Sequence, residues 1–346
     1  MNPNTLIFIL AVAAGALMTL LVRQTARSLG IVNNPNPIVP QHTKPTAYLG
    51  GVGVFLGIVT GLTINTILPI EHQALTSPLA LSSNLRDSPK LIYVGTGGLA
   101  FLLFGLYDDI QALRPFQKLL GQFVIASVIV STGVKCDYLG APLIDSIVSA
   151  IWIVTVVNAV NFTDVCDGLV GTISATTLLT VAVLEPEIRG FCLLVSGSVI
   201  GFLFFNIPRA SIFLGDAGSH LIGYILAIVG LANVSSAPAN SNIAWMISLV
   251  GVPLFELVFI TTIRVRRGLP WWKGSPDHFS LRMQQGGISR VSINLLSGIA
   301  TMASVIIGHM YSAASEIAKF LIASGAVCFC IALSKVLMRW EVARSK

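Results

Sequence analysis

Asn158-Ala-Val-Asn161-Phe-Thr-Asp164-Val-Cys-Asp167-Gly-Leu169 lies between two long apolar runs, and its reading decides the fold. Two carboxylates, two carboxamides, a hydroxyl and a glycine crowd together in a 346-residue chain that is 54% hydrophobic and only 10% charged. Apolar stretches of about 17–22 residues recur on both sides of it, the length of a helix that crosses a bilayer. An acid at the edge of such a span is costly to keep, and by default it marks a cation, proton or substrate site. The chain is therefore expected to be an all-α polytopic membrane protein, with this segment at the centre of its chemistry.

Working outward, hydropathy windows predict about eleven spans, with ten as the alternative: roughly 5–22, 48–68, 91–106, 117–133, 143–160, 168–184, 190–206, 218–234, 243–263, 292–311 and 317–338. No internal repeat or low-complexity linker interrupts them, so residues 1–346 are expected to form a single domain. The first run has no Lys or Arg before it, and Arg23 and Arg27 follow it. A secretory leader carries its positive charge on the other side, so an uncleaved first helix with its amino end outside is expected. With that start, Arg23, Arg27, Lys44, Arg114, Lys118, Arg209, Arg264, Arg266, Arg267, Lys273, Arg282, Arg290, Lys335, Arg339, Arg344 and Lys346 fall on cytoplasmic segments. Arg86, Lys90, Lys135, Arg189 and Lys319 fall outside. The asymmetry follows the positive-inside rule. The net charge of +6 thus speaks for orientation, and no nucleic-acid partner is expected.

This orientation places five polar stretches on the cytoplasmic side: His42 to Gly51, Gly105 to Lys118, Asn158 to Gly168, Asn206 to Ser219, and Arg264 to Arg290. A transporter would spread its polar groups toward the midplane between repeats, and only Glu256, inside the ninth span, does so. The five cysteines, Cys136, Cys166, Cys192, Cys328 and Cys330, form no CxxC pair, and buried thiols are expected rather than metal ligands or disulfides.

Each stretch has a chemical and a structural reading. Asp108 and Asp109 end the third span; adjacent carboxylates repel unless a cation or proton intervenes, although acids at a solvated helix end are common. Lys118 enters the next helix, where it reaches a phosphate or anchors the helix at the interface. Asp164 and Asp167 are three apart and would share a face in a helical turn, as would Asn158 and Asn161. The structural alternative, a helix start with Thr163 or Asp164 as N-cap, explains one acid and not both. Gly215-Asp216-Ala-Gly218-Ser219 opens a helix whose N–H groups can cradle a phosphate, and Asp216 would repel that phosphate without a metal between them. The loop from Arg264 to Arg290, with Trp271, Trp272, Lys273, Asp277, His278 and Arg282, suits lipid headgroups or an anionic substrate.

Taken together, these motifs resemble the polyprenyl-phosphate N-acetylhexosamine-1-phosphate transferases, a family that includes the phospho-N-acetylmuramoyl-pentapeptide and undecaprenyl-phosphate GlcNAc-1-phosphate transferases. The resemblance rests on Asn158 to Leu169, Asp108-Asp109 with Lys118, Phe205-Asn206 leading to Ile212-Phe-Leu-Gly-Asp216-Ala-Gly-Ser, His42 before Gly50-Gly51, Pro253 to Glu256 followed by Arg264, and Asp277-His278. It spans nearly the whole chain.

It implies a Mg²⁺-dependent enzyme, with Mn²⁺ as the alternative ion. Sugar-1-phosphate would pass from a UDP-sugar to a polyprenyl phosphate such as undecaprenyl phosphate, releasing UMP and starting a lipid-linked glycan of the cell envelope, lipopolysaccharide among them. By resemblance Asp108, Asp109, Asp164 and Asp216 hold or neighbour the metal. Lys118 and His278 join Asp108, Asp109 and Asp216 in catalysis. His42, Lys44, Asn158, Asn161, Asp164, Asp167, Gly215 and Arg282 bind substrate. A multi-pass protein of the bacterial cell membrane with a cytoplasmic cleft is implied, and a homodimer is compatible with it.

The chain departs from the family in having Val165 where Gly is frequent, Pro40-Gln41 where basic residues precede the histidine, and His220 at a usually aliphatic position. It has Asp277-His278-Phe279 where several members carry a denser histidine cluster, which favours a simple UDP-N-acetylhexosamine over the muramyl-pentapeptide donor. Intramembrane aspartyl proteases also pair Tyr-Asp with Gly-Asp, as in Tyr107-Asp108 and Gly215-Asp216, but they need neither Asp164 nor Asp167.

Overall fold

The computed structural model of the chain describes residues 2–35, 44–67, 89–136, 140–234, 239–270, 272 and 274–340. His42, Trp271 and Lys273 lie outside the described residues. Helices occupy all eleven predicted windows. They are α1 (Pro3–Ser28), α2 (Gly50–Ile67), α3 (Pro89–Gln111), α4 (Pro115–Ser131), α5 (Pro142–Thr163), α6 (Leu169–Leu184), α7 (Arg189–Asn206), α8 (Gly215–Val234), α9 (Ala239–Leu249), α10 (Gly251–Arg266), a short α11 (Phe279–Gln285), α12 (Arg290–Ser312) and α13 (Glu316–Leu337). Six of these elements are long and apolar enough to cross a membrane, and the α9–α10 pair makes a seventh.

Local sequence sets the helix starts. Proline opens α1, α4 and α5, where its missing N–H is harmless and its fixed φ is already helical. Asn2, Ser289 and Ser315 cap α1, α12 and α13, each accepting from an N–H in the first turn. The ninth window, expected as one span over 243–263, is instead two helices meeting at 80°. Pro253 is the reason: it has no N–H to give a carbonyl one turn back and its ring would clash there, so it is tolerated only in the first turn of a new helix.

Helix α8 is the axis of the bundle, with 94% of its apolar window buried, and α13 lies at the rim, with 6% buried. Around α8 pack α3, α5, α2 and α9; α1 lies across α7 and α2, and α12 covers α6 and α9. Gly105 allows one of the close approaches among these. A Cβ there would come within 2.7 Å of the Ala217 backbone nitrogen and Cα, so only glycine lets the end of α3 lie against the start of α8.

A small antiparallel pair, β1 (Val32–Asn33) with β2 (Thr46–Ala47), joins this end of the bundle. Ala47 bridges to Ile212, and Gly50 N–H donates to Phe213 O at 2.8 Å, so the loop before α8 is stitched to the entry of α2. Cys136, Cys166 and Cys192 are buried as expected, whereas Cys328 and Cys330 on α13 are exposed. Their apolar run is on the outside of the bundle.

Candidate active site

The stretch Asn158 to Leu169 straddles two helices. α5 ends at Thr163, Asp164 is its C-cap, and α6 starts after Gly168. This rules out the alternative of Thr163 or Asp164 as an N-cap and corrects the expectation of one helical face for both acids. Because residues 164–168 form a turn, Asp164 and Asp167 meet different neighbours. Asp167 accepts from Arg290 and from the Ala210 N–H (3.2 Å), and its own carbonyl accepts from Asn294 (2.8 Å). The Gly168 N–H donates to Asn206 Oδ1 (2.9 Å), whose amide nitrogen donates to Ile212 O (2.9 Å). Asp167 and Asn206 thus lash the turn to the loop before α8 and to α12.

Asp164 has no hydrogen-bond or ion-pair partner for its carboxylate among the described residues. Burial first, and then the charges of Asp216, Asp109 and Asp167, push its carboxyl up to about 8. A half-buried acid facing three others is a place where a cation gains most.

The groups around them converge from α3, α4, α5 and α8. Lys118 Nζ, at the start of α4, lies 2.8 Å from Asp108 Oδ2, 2.7 Å from Asp216 Oδ2 and 3.2 Å from Asn161 Oδ1. Asn161 Nδ2 donates to Asp216 Oδ1 (2.8 Å) and to Ser219 Oγ (2.9 Å), and Leu113 N–H donates to Asp108 Oδ1 (2.9 Å). Asp109 turns the other way and caps α8. Its oxygens accept from the Asp216 and Ala217 N–H groups (2.9 and 3.1 Å) and from the Tyr48 hydroxyl (2.9 Å). Burial and the nearby carboxylates hold the Tyr48 hydroxyl protonated, well above its usual range. Gly215 sits between these groups in the left-handed region (φ 77°), where a side chain would press on Asp109 and the Tyr48 ring.

Asp108, Asp216 and Asp164 are hard oxygen donors, and the cationic nitrogen seated between the first two shows that the pocket is built for positive charge. The Asp108–Asp216 pair fits a divalent ion such as Mg²⁺, which takes one or two carboxylates and completes its shell with water and phosphate; Asp164 is not among the donor atoms that gather there within 4.8 Å of one another. Asp109 is engaged by three donors and so also forms part of the frame that holds Asp216.

The remaining expected residues are distributed unevenly. Asn158 faces away from Asn161's partners and donates to Gln122 Oε1 (2.6 Å) and Val154 O (2.8 Å). Lys44 is exposed on the approach to β2. His278 is buried, with Nδ1 2.6 Å from Glu256 Oε1, and Phe279 N–H donates to Glu256 Oε2 (3.2 Å). Glu256, the one acid expected within a span, is therefore paired. Arg282, expected at the substrate, is 1% exposed. It binds Asp277 (2.6 Å) and the carbonyls of Leu337 (3.3 Å) and Trp340 (3.2 Å), while Arg267 holds the other side of Asp277 (2.7 Å). Its charge tethers the last helix. This loop meets the central segment through Arg264, which lies 5.3 Å from the Phe162 ring centroid.

Tyr48 and Asn294 were not foreseen, and Ser219 and Arg290 stood in the quoted motifs without assigned partners. A Ser directly after Gly-Asp-Ala-Gly and an Arg opening a span were visible signals; the Tyr48 contact depends on a fold-back that periodicity does not encode.

Residues 91–233 match the family described as Glycosyl transferase family 4. Over 330 residues the chain is 28% identical to the probable undecaprenyl-phosphate N-acetylglucosaminyl 1-phosphate transferase of Bacillus subtilis, covering 91% of this chain and 87% of that one. It is 29% identical over 312 residues to the decaprenyl-phosphate N-acetylglucosaminephosphotransferase of Mycobacterium tuberculosis (strain H37Rv), covering 80% and 74%. Identity to the phospho-N-acetylmuramoyl-pentapeptide-transferase of Limosilactobacillus fermentum is 28% over 236 residues, covering 60% and 72%.

Proposed function

We propose that the chain, whose residues 91–233 match glycosyl transferase family 4, is a sugar-phosphate transferase that moves N-acetylhexosamine-1-phosphate from a UDP-sugar to a polyprenyl phosphate. A phosphate oxygen of the lipid attacks the sugar-linked phosphorus, the new P–O bond forms, and the bond to the uridine phosphate breaks to release UMP. The product is a lipid diphosphate sugar that starts an envelope glycan. The observation that carries this reading is the lysine clasped between Asp108 and Asp216 beside the unpaired Asp164.

Phosphoryl transfer asks the protein mainly for position and charge neutralisation. Lys118 is an ammonium within reach of a diphosphate bound over Asp108 and Asp216. Asn161 orients Asp216, and Asp109 with Tyr48 holds the start of α8 so that Asp216 cannot drift. Asp108 and Asp216 would hold Mg²⁺, which when bound neutralises the diphosphate and the departing UMP. By the positive-inside reading these groups face the cytoplasm, where UDP-sugars are made.

The test is UMP release by purified protein with undecaprenyl phosphate, Mg²⁺ and a panel of UDP-GlcNAc, UDP-GalNAc and UDP-MurNAc-pentapeptide. Release with a simple UDP-N-acetylhexosamine, dependent on both lipid and metal, is expected. Release only with the pentapeptide donor would reassign the substrate, and silence from folded protein across the panel would overturn the reaction.

A further inference from the structure

His220 stands one helical turn after Asp216 on α8, is 0% exposed, and has no role in the reaction above. One of its ring nitrogens lies in a group with carboxylate oxygens of Asp108 and Asp216, all within 4.8 Å of one another. Taken as a list of donor atoms, that trio is a metal site. The hydrogen bonds behind the ring give a different assignment.

His220 Nε2 is 3.1 Å from Nε2 of Gln122, which is also 0% exposed. A contact between two nitrogens is a hydrogen bond only if one donates, and the direction is set further along the chain of contacts. The amide of Asn158 faces the Val154 carbonyl at 2.8 Å. A backbone carbonyl only accepts, so the Asn158 atom against it is the NH₂ group. The same NH₂ reaches Gln122 Oε1 at 2.6 Å, which makes that atom the acceptor and leaves Gln122 Nε2 as the donor toward His220. His220 Nε2 therefore accepts, and the proton of the neutral ring is on Nδ1. That Nδ1 is buried and has no partner among the described residues.

We propose that His220 is a positioning residue, a neutral Nδ1–H donor held in that tautomer by Asn158 and Gln122, which serves the carboxylates of Asp216 and Asp108 through one bridging water. It is not a third metal ligand. A ligating nitrogen needs a free lone pair: that of Nε2 is taken by Gln122, and Nδ1 carries the proton. An uncharged donor fixed on α8 complements the mobile charge of Lys118. It keeps Asp216 aimed when Lys118 turns to a phosphate, and the ring is braced on its face by Phe104, with centroids 6.1 Å apart. This role rests on reading the acidic cluster as a cation and phosphate site; the tautomer does not.

The first experiment is ¹⁵N NMR of protein in detergent with labelled histidine, the His220 signals among the five histidines being assigned by their loss in His220→Asn. At pH 7, Nδ1 should resonate as protonated and Nε2 as unprotonated, with and without Mg²⁺. An Nε2–H tautomer, an imidazolium, or an Nδ1 that becomes unprotonated when Mg²⁺ is added overturns the proposal. This readout holds even if the chain proves silent toward every nucleotide sugar, so failure of the tautomer and failure of the reaction are separable.

Kinetics form the second arm. His220→Asn keeps an N–H near the Nδ1 position and should need Mg²⁺ within about threefold of the parent's concentration for half-maximal UMP release. His220→Leu should need about tenfold more, the usual effect of losing a group that orients a metal ligand. Gln122→Glu accepts from both sides and draws the proton to His220 Nε2, so it should reproduce the leucine defect with the fold intact. Parental Mg²⁺ dependence in either His220→Leu or Gln122→Glu overturns the role.

Discussion

Asp164 and Asp167 stand three positions apart, yet only Asp167 is held, by Arg290 and the Ala210 N–H. Substitution should separate them. Asp164→Asn should lower UMP release about a hundredfold or more, the range for losing one charged group at a reacting phosphate, while thermal unfolding in detergent is unchanged or improved. Asp167→Asn should lower both activity and the unfolding temperature, because Arg290 loses its partner. Equal losses of stability in the two variants would refute the distinction. Asp164 also predicts a pH dependence. In chelator-treated protein it keeps its proton up to about 8, whereas the unfolded chain releases it near the ordinary carboxylate value of about 4. Between those limits the folded state binds the extra proton, so stability falls as pH rises through that window and levels off above it. The slope should be absent from Asp164→Asn in a pH series of unfolding temperatures.

The contact of α3 with α8 places Asp108 and Asp109 against Asp216, and it depends on Gly105. Gly105→Ala should cost about 1–3 kcal/mol by overpacking and cut UMP release, since the two halves of the acidic cluster move apart. Gly95, on the same helix, faces open space, and Gly95→Ala should leave unfolding temperature and activity near the parent's. Element positions were legible because most apolar windows run unbroken by charge, and the misreading of the ninth, the 80° bend, came from treating Pro253 as tolerable inside a span. Partners were less legible. Periodicity puts Asn158 and Asn161 near one face but does not say that Asn158 meets Gln122 of α4 while Asn161 joins Lys118 of α4 to Asp216 and Ser219 of α8. The capping role of Asp109 was hidden because its partners are backbone N–H groups at 216 and 217, which a side-chain motif does not register.

At the scale of the molecule, the hydrogen-bonded and ionic contacts of the site gather at one end of the bundle, and that convergence was the most legible feature of all, since alternate loops carried the polar motifs. The last helix is a partial exception to the tight packing. Its carboxyl end is tied through Arg282 to Asp277, and most of its surface faces outward. Arg282→Met should destabilise that tether by roughly 3 kcal/mol and expose the chain near Trp340 to limited proteolysis, with the α8 core retained; an unchanged digestion pattern would argue against the tether. The same rim helix carries Cys328 and Cys330, the two exposed thiols in a chain whose other three cysteines are buried. Both lie near the middle of a helix apolar enough to cross a membrane, so a lipid-soluble thiol-specific spin label is expected to attach to α13 alone, and a water-soluble maleimide to react there only after the bilayer or micelle is removed. The native sequence already carries a selective attachment point from which depth in a bilayer can be read, with no cysteine added or removed.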